Sequence, residues 1–86
     1  MKYLATFFTH YDALQCFQML KRLALEKGEV HDTSMRPGPR CLSSSCGTCV
    51  AFQSRVPPTA WAEDVPGIQG LYHADSGSYR LLFERE

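Results

Sequence analysis

The strongest helical periodicity in the chain lies over residues 11–27, where apolar side chains recur at Ala13, Phe17, Leu20 and Ala24 with Leu14, Cys16 and Leu23 beside them. One amphipathic helix has a single apolar stripe to bury, so the remaining residues must supply a sheet to receive it. Thr9 offers an N-cap oxygen with Asp12 three residues on, a shortened capping box, and Gly28 suits the left-handed position that stops a helix. Lys21, Arg22 and Lys27 sit toward the negative end of its dipole.

Residues 2–8 precede this helix with the β-branched and aromatic richness of a strand, apolar on both faces, and therefore central in its sheet. A more polar second strand over residues 29–35 is expected to end at Arg36-Pro37-Gly38-Pro39, because a proline cannot donate to a ladder. Strand character resumes over residues 49–53 and closes at Val56-Pro57-Pro58. One or two helical turns are expected over residues 59–65, capped by Thr59 and halted by Pro66-Gly67. Two short strands, 70–74 and 79–83, flank a turn at Asp75-Ser76-Gly77-Ser78.

That order predicts one α+β domain spanning residues 1–86: a ferredoxin-like βαββαβ sandwich with a short second helix and a C-terminal hairpin. In a split βαβ unit the first two strands run the same way. The entrance of the first helix, with Thr9 and His10, is then expected at the same end of the sheet as the loop joining the second and third strands.

That loop carries the chemistry. Three of the four cysteines, Cys41, Cys46 and Cys49, fall within nine residues, among Ser43, Ser44, Ser45 and Gly47. Serine and glycine pack little, but they leave backbone N–H groups and hydroxyls free to surround a sulfur anion and leave the thiol reachable. A thiolate near a helix N-terminus can fall well below the usual ~8.5. Cys46 reads as the working nucleophile, with Arg40 as a counter-charge and His10 as a donor or proton shuttle. Cys49 completes Cys46-Gly47-Thr48-Cys49, a C-x-x-C spacing in which the second thiol could resolve an adduct on the first.

Composition narrows the alternatives. Nine basic and nine acidic residues cancel, which disfavours nucleic acid as a partner. Apolar runs fall far short of the ~20 residues of a membrane span, and the first eight residues make too short a signal peptide. Both point to the cytoplasm, where thiols stay reduced and four cysteines suggest sulfur chemistry over a disulfide framework.

Around Pro39-Arg40 and Leu42-Ser43-Ser44-Ser45-Cys46-Gly47, and upstream through Thr9-His10-Tyr11-Asp12-Ala13, the sequence resembles a family of small bacterial proteins described as selenium/sulfur carrier-like. The resemblance covers roughly the first two-thirds of the chain. It implies that Cys46 would hold a persulfide or selenopersulfide, accompanied by Pro39 and Arg40. It also implies a carrier that is not itself a turnover enzyme, needs no cofactor, and meets donor and acceptor proteins. Cys41 and Cys49 depart from the family pattern.

Two other classes fit the same residues. Cys41-x4-Cys46-x2-Cys49 is the opening spacing of a plant-type [2Fe–2S] loop, and the same thiolates with His10, His31 or His73 would make a Cys3His zinc site. Alternatively the chain is a non-catalytic interaction domain whose strand edge pairs with a partner or with itself as a homodimer.

Overall fold

Strand β1 (Lys2–Phe7) stands in the middle of a five-stranded sheet of order β2-β3-β1-β4-β5, and every residue from Tyr3 to Phe7 is buried. The computed structural model describes residues 1–26, 28–38, 47–75 and 77–85. In chain order, α1 (His10–Glu26), β2 (Val30–Pro37), β3 (Thr48–Ser54), α2 (Thr59–Ala62), β4 (Ile68–Asp75) and β5 (Ser78–Glu84) follow β1.

All neighbouring strands are antiparallel. Because β3 lies between β1 and β2 and opposes both, β1 and β2 run the same way, with α1 as the crossover. Alternation along β1 sends Tyr3, Ala5 and Phe7 to the helix side, where they meet Ala13, Cys16 and Leu20 of α1, Val50 and Phe52 of β3, and Ile68 and Leu71 of β4. The Tyr3 and Phe52 rings stack with centroids 5.7 Å apart. Each large side chain buried here stabilises the fold by roughly 1.5–3 kcal/mol.

The other face carries no helix among the described residues, yet Leu4 and Thr6 of β1 and Cys49 of β3 are buried there. Part of the cover comes from within the sheet. A Cβ at Gly70 would lie 3.1 Å from Tyr72 Cε1 and 3.2 Å from Thr6 Oγ1, so the Tyr72 ring lies across the glycine and over Thr6. Burial, and then the Glu84 carboxylate, push the Tyr72 phenol above its ordinary range, which keeps it neutral.

The two-helix ferredoxin-like sandwich is overturned. The second helix is a four-residue turn, Thr59–Ala62, so α1 is the one long helix packed on a wholly antiparallel sheet. Pro58, and not Thr59, occupies the N-cap position, where its carbonyl accepts from the N–H groups of Trp61 and Ala62. Proline offers no side-chain oxygen to hold further donors, and the chain turns away through Pro66-Gly67. The second strand also runs on through Arg36 and Pro37, where it was expected to stop. β2 is an edge strand, so the proline nitrogen can face away from the ladder without leaving a partner unsatisfied. Lys21 and Arg22 stand short of the last turn of α1, which holds no basic residue among the described residues; Lys27 lies outside them.

Gly67 couples the entrance of α1 to β4. Its φ of +73° is left-handed, its carbonyl accepts from Phe8 N–H at 2.9 Å, and a Cβ there would fall on the Asp12 carboxylate. Gly77 has a similar φ of +86° with open space around it. Gly77→Ala should therefore cost only the left-handed penalty of about 1–2 kcal/mol, while Gly67→Ala should cost that plus a steric term of about 1–3 kcal/mol. Urea unfolding of the two variants checks the ranking. Equal midpoints would refute the Asp12 contact.

Candidate functional site at the neck of the cysteine loop

The sequence-predicted site divides in two. Thr9, His10, Gly47 and Cys49 belong to the described residues; Arg40, Cys41, Ser43, Ser44, Ser45 and Cys46 lie outside them. What the structure describes is therefore the neck on which the loop is mounted.

Gly38 and Gly47 form that neck, Gly38 N–H donating to the Gly47 carbonyl at 2.9 Å beyond the last β2–β3 pair, Pro37 with Thr48. Gly47 takes φ +71°, a conformation that turns the chain into β3 at little cost to glycine alone. Cys46 is the residue immediately before it in the chain.

The entrance of α1 meets this neck. Thr9 caps the helix, its Oγ1 accepting from Asp12 N–H at 3.1 Å and donating to Asp12 Oδ2 at 2.7 Å. His10, the first helical residue, is exposed, and its Nδ1 lies 3.3 Å from Thr48 Oγ1, a hydrogen bond whose direction follows the imidazole tautomer. The first helical residue, through its exposed imidazole, thus meets the strand that leaves the loop. Asp12 adds a carboxylate to the same turn, but its Oδ2 is already engaged by Thr9. Thr48 escaped notice in the sequence, although its place two residues after Cys46 puts it at the loop base in any hairpin joining these strands.

The described cysteines are shut away. Cys49 is fully buried on β3, with Sγ donating to the Arg36 carbonyl at 3.4 Å and lying 3.7 Å from that of Pro37. Cys46, the thiol it was expected to resolve, lies outside the described residues. Cys16 is buried on α1, where desolvation pushes its thiol up to about 12. It is a core residue that stays protonated at neutral pH.

The histidines do not converge. His31 pairs with Gln53, and His73 with Tyr3, whereas His10 sits beyond the Phe7 end of β1. Among the described residues no three His, Cys, Asp or Glu side chains gather as a metal site. The three-thiolate alternative rests on Cys41 and Cys46 and so lies outside them. No helix among the described residues is long and apolar enough to cross a membrane.

On the helix-free face a groove of about 730 Å³ starts at the neck, beside Arg36, Pro37 and Cys49, and reaches Lys2 and Gln53 at the far end of β1. Comparison with family models, curated proteins and solved structures finds no match to this chain. The carrier-like resemblance therefore rests on the sequence motifs alone.

Iodoacetamide at pH 8 should leave Cys16 unmodified in the native protein and label it promptly in denaturant, as read by peptide mass mapping. The buried thiol also fixes a pH dependence. Its folded value lies above the unfolded 9.0, so its contribution to stability is complete below pH 9 and shrinks as pH rises from 9 toward about 12. The loss should approach about 1.4 kcal/mol per pH unit in that window. A Cys16→Ala variant, compared across the same range, should lack this slope.

Proposed function

We propose that this protein is a small cytoplasmic carrier of reactive sulfur or selenium, in which Cys46 holds the chalcogen and passes it between a donor and an acceptor protein. The observation that carries the reading is the contact between the α1 entrance and the loop neck, His10 Nδ1 to Thr48 Oγ1, which supports an electropositive setting next to the cysteine segment. The burial of Cys16 and Cys49 supports it further, since neither competes as an accessible nucleophile in the folded state.

In the carrier step the Cys46 thiolate attacks the outer sulfur of a donor persulfide. A sulfur–sulfur bond forms to Cys46 as the donor's own breaks, and the donor leaves as a thiolate; no oxidant is consumed. Arg40, the serines and the loop N–H groups would stabilise the anionic adduct, and His10 would supply a proton or a hydrogen bond at the neck. Transfer onward repeats the exchange with an acceptor thiolate.

Incubation with a low-molecular-weight persulfide should raise the intact mass by about 32 Da on Cys46, and Cys46→Ser should abolish the gain. In a Cys41→Ser background the alkylation rate of Cys46 should reach half its maximum about one pH unit or more below the ~8.5 of an ordinary thiol. His10→Ala should move that midpoint upward. Labelling confined to Cys41, or a midpoint at the ordinary value, would sink the proposal, and iron or zinc near one per chain in anaerobically purified protein would favour a metal module in its place.

A further inference from the structure

A second cavity lies at the opposite end of α1 from the loop neck. It measures about 280 Å³, and Met19 and Leu23 of α1, Val30, Val56, Trp61 and Val65 make an apolar interior. Glu29 and Asp64 also line it, both exposed and neither in an ion pair among the described residues. The wall formed by Leu23 belongs to the last turn of α1, which carries the negative end of the helix dipole and, among the described residues, no basic side chain. An apolar pocket with two carboxylates that no described residue neutralises, and with the C-terminal turn of a helix beside it, suits one ligand chemistry: an apolar group bearing a positive charge.

The size narrows this further. At ~30 Å³ per liquid water the cavity displaces about nine waters, below the usual range for drug-sized ligands and enough for a short alkyl or aryl chain. Trp61 offers a ring against which such a chain packs, and its face attracts a cation. Its own seat is held from behind by Phe52, with centroids 5.9 Å apart.

We propose that this cavity is a binding site for a small amphipathic organic cation, a primary alkyl- or aralkylammonium, with the hydrocarbon against Trp61, Leu23 and Val65 and the ammonium between Glu29 and Asp64. The site is independent of the cysteine loop. Occupying it leaves the thiol chemistry at the far end of the helix untouched.

Trp61 is the chain's one tryptophan, so its emission reports on the cavity directly. Titration with hexylammonium should give a saturable change in emission, together with amide shifts at Leu23, Val30 and Val65 in two-dimensional NMR spectra. Hexanol should bind more weakly and hexanoate more weakly still. The double variant Glu29→Gln/Asp64→Asn should lose about tenfold in affinity for hexylammonium while its affinity for hexanol stays the same. Cys46→Ser should bind hexylammonium like the parent protein. No saturable change by either readout, or hexanoate binding as tightly as hexylammonium, would overturn the proposal.

Discussion

Burial of β1 on both faces is the constraint from which the rest of the molecule follows. A strand with Tyr3, Ala5 and Phe7 on one side and Leu4 and Thr6 on the other cannot sit at an edge, because one row would face water along with an unpaired ladder. It must be flanked, and β3 and β4 flank it. Once α1 leaves the Phe7 end and returns the chain as β2 beyond β3, the helix entrance and the β2–β3 connection are brought to the same end of the sheet. The hydrogen bond of His10 with Thr48 is the local consequence of that long-range arrangement.

The two faces are sealed by different means. α1 covers one with a conventional apolar stripe. On the other, small residues keep the surface low: Thr6 pairs across from Cys49 and from Gly70, and Tyr72 folds over the glycine. Tyr72 can do so because residues two apart on a strand share a face, so an aromatic at that spacing fills the space a glycine leaves open. The same packing accounts for the fate of Cys49. A small apolar thiol fits beside Thr6 with its S–H directed to a neighbouring carbonyl, and fitting there removes it from solvent.

Cysteine environment thereby sorts residues that composition treats alike. Desolvation disfavours the thiolate and holds Cys16 neutral inside the helix packing, whereas the segment containing Cys46 is mounted on a glycine-to-glycine neck beside a helix entrance. The charged rim of the Trp61 cavity stands apart from both. Its walls take Met19 and Leu23 from the C-terminal half of α1, whereas Thr9 caps the opposite end of that helix.

Local information in the chain was enough for the features that depend on neighbours in sequence. The two-faced pattern of residues 2–8 marks a central strand, Thr9 with Asp12 marks the helix start, and Gly28 with φ +69° marks its end. The same information misled where tertiary context overrides propensity. Thr59 looks like a cap, but Pro58 supplies the carbonyl; Pro37 looks like a strand terminator, but an edge position lets the strand continue through it. Spacing groups Cys46 with Cys49; the strand register adds that Cys49 is buried beside β2, while Cys46 lies outside the described residues. By itself the sequence determined the strands, the one long helix and the segment richest in reactive groups, because periodicity, capping and turn chemistry act over a few residues. The extent of the second helix, the meeting of His10 with Thr48, the burial of Cys49 and the cavity around Trp61 were decided by the tertiary structure alone, since each depends on which distant strands and faces the closed sheet brings together.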